Sequence, residues 1–318
     1  MLHQARSGRD LYALVEEYFR SSFGTDNALI TEAVRRMLAA GGKRLRPRFT
    51  RLAAESVGGR PEDHVRLAAF MELIHVATLI HDDVVDGAET RRGVNATAVD
   101  FGNRISVLAG DYLFAWIFKN VTADYSHPIP HVLSSTLADI TDGEVLQLKA
   151  LADLETTLPQ YVEIAAKKTA SLFAASAECG ALAASASPFV VKALRDFGTA
   201  YGIAFQMRDD LLDITADEAA LGKPVGNDLR ERKMTVPLVL ALEAGDREFR
   251  AAVERFFAED DVGPERIAQI VAGIGGHGGL SRTEAVLAGY VERAKHSLAP
   301  LGNVPARAEL ASLADALL

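Results

Sequence analysis

The chain has 318 residues, 49% hydrophobic and 24% charged, a profile that suits a soluble globular protein with a sizeable core and excludes a disordered polymer. A formal net charge of −9 leaves no basic surface of the kind that phosphate-backbone binding needs, so no nucleic-acid partner is expected. The single cysteine, Cys179, rules out an intramolecular disulfide and fits a reducing, cytoplasmic setting.

Met1 to Arg9 is polar, and the apolar run Leu11 to Phe19 is broken by Glu16 and Glu17, so no signal peptide is expected. Apolar residues then recur at helical spacing. They predict helices over 8–22, 26–40, 47–57, 62–86, 105–123, 129–150, 159–178, 189–214, 234–244, 246–257, 263–273, 279–298 and 304–317. Glycines and prolines punctuate them, at Gly41-Gly42, Gly58-Gly59, Gly87, Gly102, Pro128 with Pro130, Pro159, Pro188, Gly222 with Pro224, and Gly273 to Gly279. No strand-like alternation of useful length occurs, no linker divides the chain, and no apolar run reaches the roughly 18 residues of a membrane span. The expected organisation is one all-α domain over 1–318, a helical bundle.

Two of these helices carry the same acidic motif, Asp82-Asp83-Val84-Val85-Asp86 and Asp209-Asp210-Leu211-Leu212-Asp213. Its first and last carboxylates lie four residues apart on one helix face, where like charges repel by a few tenths of a kcal/mol. A single such motif also fits a solvated helix surface. Two copies, in helices apolar on most sides, do not, because buried carboxylates are costly unless paired or metal-bound. All-oxygen ligation suits a hard ion such as Mg²⁺, which takes one or two carboxylates, several waters and a substrate phosphate. A polyphosphorylated substrate between the motifs is the implied ligand.

Three basic groupings could complete such a site. Gly41-Gly42-Lys43-Arg44-Leu45-Arg46-Pro47 sets three cations on a flexible turn before a helix. Arg91-Arg92 follows the first motif closely, and Lys168, Lys223 and Lys233 form the third group. Taken alone, the first also fits an ordinary surface loop. His75 stands two helical turns before Asp82 on the same face, whereas His81 points elsewhere. Gln206 lies about one turn before Asp210. A core histidine and a surface glutamine remain open as alternative roles.

Together the segments GGKRLRP (41–47), ELIHVATLIHDDVVDGAETRRG (72–93), KTASLF (168–173), FQMRDDLLD (205–213) and LGKPVGNDLRERKMTVPL (221–238) resemble the trans-isoprenyl, or polyprenyl, diphosphate synthases. The resemblance implies an all-α fold around a deep cavity and a homodimer. It implies condensation of an allylic diphosphate with isopentenyl diphosphate, with three Mg²⁺ bound. By position, Asp82, Asp86 and Asp209 would hold the metals, with Asp83, Asp210 and Asp213 in support. Lys43, Arg46, His75 and Arg92 would hold isopentenyl diphosphate. Arg91, Lys168, Lys223 and Lys233, assisted by Thr169 and Gln206, would hold the allylic diphosphate. After Gly93 the chain departs from the pattern, with Val94-Asn95 in place of the usual Lys-Pro.

Product length in such enzymes follows how far the growing tail descends beside the helix of the first motif. Ala77 and Thr78 lie about one turn above Asp82, with Ile74 and Phe70 roughly 12 and 18 Å away at 1.5 Å per residue. Small residues at Ala77 and Thr78 leave that path open, so a medium- to long-chain product of the heptaprenyl or octaprenyl kind is expected, one able to partition into membrane. A short-chain product is the alternative, geranylgeranyl where Phe70 or a residue of the 105–123 or 129–150 helices closes the path, or farnesyl. A terpene cyclase would not need Lys43, Arg46, His75 and Arg92, and a non-catalytic subunit of a heteromeric synthase would not keep both acidic motifs.

Overall fold

A computed structural model of the chain describes residues 7–91, 93–216, 225–259 and 262–318. The fold is 77% helical, in keeping with the all-α expectation. Among the described residues the only sheet is a hairpin of β1 (Thr90–Arg91) and β2 (Val94–Asn95), antiparallel with Thr90 opposite Asn95. The helices before the first break in helical geometry are α1 (Ser7–Ser22), α2 (Ala28–Ala39), α3 (Leu45–Glu55), α4 (Val65–Val85), α5 (Thr97–Phe101), α6 (Asn103–Asp124), α7 (Ile129–Lys149) and α8 (Leu158–Ala165). After it come α9 (Ser171–Ala183), α10 (Pro188–Thr215), α11 (Asn227–Arg230), α12 (Val236–Ala244), α13 (Arg247–Ala258), α14 (Pro264–Gly276), α15 (Gly279–Ser297) and α16 (Pro305–Asp315).

Two differences from the sequence reading bear on the site. The helix predicted over 159–178 is interrupted by a π turn at Ala166–Ala170. The hairpin, α5 and α11 were not anticipated, because elements of two to five residues are shorter than the window in which apolar periodicity shows.

The chain forms two compact units, the first comprising Met1–Ser135, Ala175–Arg195 and Pro300–Leu310. Within it α4 is the buried element. Leu67, Phe70, Met71, Leu73, Ile74, Val76, Ala77 and Ile80 lose all exposure, as a helix apolar around its circumference must. Each large side chain so buried contributes about 1.5–3 kcal/mol. Glu72 interrupts this surface and is matched by Arg44, whose Nη1 lies 2.8 Å from its carboxylate. Nη2 of the same arginine reaches Glu16 at 2.6 Å and the Leu38 carbonyl at 2.9 Å. Burial by itself would lower the Arg44 pKa, but Glu72 and Glu16 outweigh it and hold the guanidinium above its ordinary range. Arg44 is thereby turned inward, at a left-handed φ of 46°. Of the three cations grouped at 41–47, Lys43 is exposed and Arg46 half-buried, and Arg44 is structural.

The second unit comprises Thr136–Ala174, Asp196–Ala299 and Ala311–Leu318. Here α10 packs closely on the π turn and the start of α9. A Cβ on Gly202 would lie 2.4 Å from the Ala170 Cα, and one on Gly198 would lie 2.6 Å from the Ala174 Cα. Phe173, Tyr201 and Phe205 fill the space beside this crossing, with Phe173 5.2 Å from Tyr201 and 5.3 Å from Phe205 between ring centroids. A further core gathers Leu238, Val239, Phe249, Val253, Phe256, Ile267 and Ile274 from α12 to α14.

Candidate active site

The first acidic motif closes α4, and the second lies in the last two turns of α10. Neither helix has a basic residue in its last turn. A helix C-terminus carries partial negative charge and favours cations, so three carboxylates there add to a field already unfavourable to them. Folding alone does not select this arrangement twice.

In the first unit the members of the motif differ in surroundings. Asp83 is fully buried, and one of its oxygens accepts from Arg91 Nε at 2.7 Å and Nη2 at 2.6 Å. Asp82 and Asp86 are half-buried at the end of the helix, where the Asp86 N–H donates to the Asp82 carbonyl at 2.8 Å. His75 is half-buried, and its carbonyl accepts the Thr78 hydroxyl at 2.8 Å. His81 instead turns into a notch on α6 made by Gly110, with Nε2 3.1 Å from the Val107 carbonyl oxygen. A Cβ on Gly110 would stand 2.2 Å from that ring.

Of the residues expected to set product length, Phe70, Ile74 and Ala77 have no exposure and Thr78 is half-buried. Phe70 meets Trp116 and Tyr18 edge-on, each at 6.0 Å between centroids, and Phe23 meets Trp116 at 5.5 Å. Arg92 lies outside the described residues.

In the second unit the motif is tied to neutral donors. Asp210, 3% exposed, accepts from Gln206 Nε2 at 2.9 Å and from the backbone N–H of Val236, the first residue of α12, at 3.1 Å. The Tyr161 hydroxyl is buried near it without a hydrogen-bond partner of its own. Burial outweighs these donors and pushes the Asp210 carboxyl up to about 6, and the same burial holds the Tyr161 phenol well above its ordinary value. Asp213 is buried as well and accepts the Asp228 N–H at 3.1 Å near the start of α11. Asp209 is exposed.

Gln206 joins this network to the π turn, since its Oε1 accepts the Thr169 hydroxyl at 2.8 Å. Single-turn π segments of this kind recur at functional sites. The π turn sits tightly against α7, where a Cβ on Gly143 would lie 2.5 Å from the Lys168 N. Beside Gly143, Glu144 pairs with Lys168 and Asp142 with Lys167. Lys233 pairs with Glu231. Lys223 lies outside the described residues.

The sequence reading missed Glu144, Glu231, Tyr161 and Glu72. Glu72 alone left a signal, as a lone acid within the apolar run Leu67 to Ile80. The others sit in ordinary amphipathic sequence, and only the fold shows which cation or carboxylate each one meets.

The donor set fits Mg²⁺. Among the described residues no three His, Cys, Asp or Glu side chains form a ready-made cage. Mg²⁺ does not need one, because it takes one or two carboxylates and completes its shell with waters and substrate phosphate oxygens. Asp82, Asp86 and Asp209 are the motif carboxylates that reach solvent, whereas Asp83, Asp210 and Asp213 are buried.

Comparison with known proteins shows the family. Residues 27–274 match the polyprenyl synthetase family. The chain is 38% identical to the octaprenyl diphosphate synthase of Escherichia coli over 91% of its own length and 90% of that protein's. It is similar in structure to a decaprenyl diphosphate synthase from Rhodobacter capsulatus, with a TM-score of 0.92 and 39% identity over 98% of this chain and 97% of that one. It is also similar to a polyprenyl synthase from Caulobacter crescentus complexed with calcium and isoprenyl diphosphate, with a TM-score of 0.93 and 38% identity over 98% and 95%. With more than half its length inside the family match, and with the acidic motifs, the lysine-bearing π turn and the all-α fold in place, the chain belongs to the polyprenyl synthetase family and is a prenyltransferase.

Proposed function

We propose that this chain, a single domain, condenses an allylic diphosphate with isopentenyl diphosphate and repeats the step to a medium- or long-chain all-trans polyprenyl diphosphate. The observation that carries the reading is the division of labour shared by both motifs: the second carboxylate, Asp83 or Asp210, is buried and bonded within the fold, and the first, Asp82 or Asp209, reaches solvent. Asp82, Asp86 and Asp209 would hold Mg²⁺, three ions by resemblance. When bound, the metal supplies Lewis-acid stabilisation of the departing diphosphate. A neighbouring structure bound to calcium and isoprenyl diphosphate supports a divalent ion and a prenyl diphosphate at this site.

The chain's own residues do the rest. Lys168, Lys233 and Arg91 place positive charge where the leaving diphosphate gathers negative charge, an effect magnified in a water-poor site. Thr169 and Gln206 orient the same group. Lys43, Arg46 and His75 hold isopentenyl diphosphate so that its double bond faces the allylic carbon, and such positioning lowers the barrier by several kcal/mol, up to roughly 7–11 in the best cases. The departing diphosphate accepts the final proton. Apolar side chains such as Ile80, Phe173 and Phe205 keep water from quenching the cation.

A second reading, a shorter product, is favoured by one observation: Phe70 is backed by Trp116 and Tyr18, a rigid aromatic surface along the expected path of the tail. A homodimer is part of the proposal, supported by Leu108 and Val107 on α6, large apolar residues 54% and 40% exposed. Sedimentation would show whether a dimer forms. Cytoplasmic placement is likewise proposed; among the described residues no helix is long and apolar enough to cross a membrane. Purified chain with Mg²⁺, farnesyl diphosphate and labelled isopentenyl diphosphate tests the reading. Elongation supports it; a cyclised product or no product overturns it.

A further inference from the structure

The two basic segments of the first unit are fastened to each other through one carboxylate. Arg36, in the last turn of α2, leads directly into Gly41-Gly42-Lys43, and its Nη1 lies 2.9 Å from Asp100 Oδ2. The other oxygen, Asp100 Oδ1, accepts from Asn95 Nδ2 at 2.9 Å. Asn95 stands opposite Thr90 in the hairpin that carries Arg91. Asp100 sits on α5, and the Arg36 guanidinium also lies 5.7 Å from the ring centroid of the next residue, Phe101. Each oxygen of one carboxylate thus holds one segment.

Stability does not explain the arrangement, since the Arg36 side chain is 47% exposed and ion pairs at such positions add little. Position does. In the hairpin the Ala96 N–H donates to the Glu89 carbonyl at 2.9 Å, and bonded and non-bonded pairs alternate, so the next pair, Thr90 and Asn95, face each other without ladder bonds between them. Asn95 makes no ladder bond of its own, and its side-chain bond to Asp100 is what ties this strand to α5.

We infer that Asp100, with Asn95 and Arg36, is a positioning residue that holds the end of α2, and the Gly41–Lys43 turn it leads into, against the hairpin, and so places Lys43 in the isopentenyl diphosphate site. The inference rests on the proposed reading of that site. Arg91 has its own anchor on Asp83, so the allylic side is insulated from the clip.

The test is Asp100→Ala and Arg36→Gln in the full chain, read by steady-state kinetics, by calorimetric titration with isopentenyl diphosphate, and by thermal melting. Loosening the clip by even an ångström should raise both KM and Kd for isopentenyl diphosphate about tenfold, while kcat and the allylic KM stay within about twofold. Asp100→Asn, which keeps an acceptor oxygen, should fall between these variants and the wild type. An unchanged Kd, or a parallel decline in both KM values, kcat and melting temperature, would overturn the inference. Wild-type chain that binds isopentenyl diphosphate but elongates nothing would refute the proposed reaction and leave the Kd comparison to decide on the clip. Wild-type chain that does not bind it would overturn both.

Discussion

Asp83 and Asp210 hold the same place in two copies of one motif, and the fold treats them differently. Asp83 meets a guanidinium, Arg91, and Asp210 meets an amide, a backbone N–H and a phenol, none of them charged. Both are buried. The first carboxylate has an opposite charge against it to offset its desolvation, whereas neutral donors leave the second to bear most of its own, which pushes its pKa up to about 6. Identity of sequence in the motif is therefore not identity of electrostatics. The difference comes from the partners, which in the second case lie 26 residues away at Val236 and in another helix at Tyr161.

The comparison would break most visibly at the first position of each motif, which both are expected to use alike. Asp82→Ala and Asp209→Ala should each lower kcat by about three orders of magnitude or more through loss of metal ligation, with the circular dichroism of the wild type. Near-normal turnover of either variant at low Mg²⁺ would separate the motifs where they are expected to agree.

The inner positions sharpen the contrast. Asp83→Asn leaves Arg91 without its counter-charge and should cost about 2 kcal/mol by urea titration, less than for a fully buried pair because the Arg91 side chain is 29% exposed. Asp210→Asn removes a strained charge. Its carboxyl has a folded pKa raised from 3.8 to about 6, so the stability it contributes is fully present below pH 3.8 and is lost as pH rises through 6. Without Mg²⁺, Asp210→Asn should gain on the wild type between pH 4 and pH 7, by up to about 3 kcal/mol. A gap that stays constant across that range would mean that Asp210 does not titrate there.

Much of this was legible in sequence. Periodicity placed the long helices to within a few residues, and the motifs marked both acidic helix ends because apolar surroundings make paired aspartates conspicuous. What the sequence hid were ion pairs and short elements. Arg44 read as one of three outward cations until Glu16 and Glu72 were seen to turn it inward. The π turn around Lys168 lies where α7 approaches closely at Gly143, a tertiary contact with no local signature.

The basic clamps offer a smaller, separable effect. Arg46→Ala, in the first unit, should raise KM for isopentenyl diphosphate about tenfold with little change in the allylic KM. Lys168→Ala, in the second, should act on the allylic KM or on kcat, and it also leaves Glu144 buried without its cation. Should both variants affect the allylic substrate alone, the assignment of Arg46 is wrong.

The smallest effect on rate, and the most specific on product, belongs to the first unit alone. Ala77 has no exposure and lies about one and a half turns above Asp82 on α4, with Ile74 and Phe70 successively farther from the motif. A tyrosine there must displace neighbours, at an overpacking cost of about 1–3 kcal/mol. Its ring would extend over the space between Asp82 and the Phe70–Trp116–Tyr18 surface. Ala77→Tyr should therefore shorten the product toward farnesyl or geranylgeranyl diphosphate while the first condensation runs at the wild-type rate, because no clamp or metal ligand has moved. Chromatography of dephosphorylated products against a single-turnover measurement separates the two. If the wild type already stops at farnesyl diphosphate, the aromatic surface at Phe70 is not where the tail is halted, since it stands some 18 Å from Asp82 at 1.5 Å per residue. If Ala77→Tyr leaves the distribution unchanged, the tail does not descend beside α4.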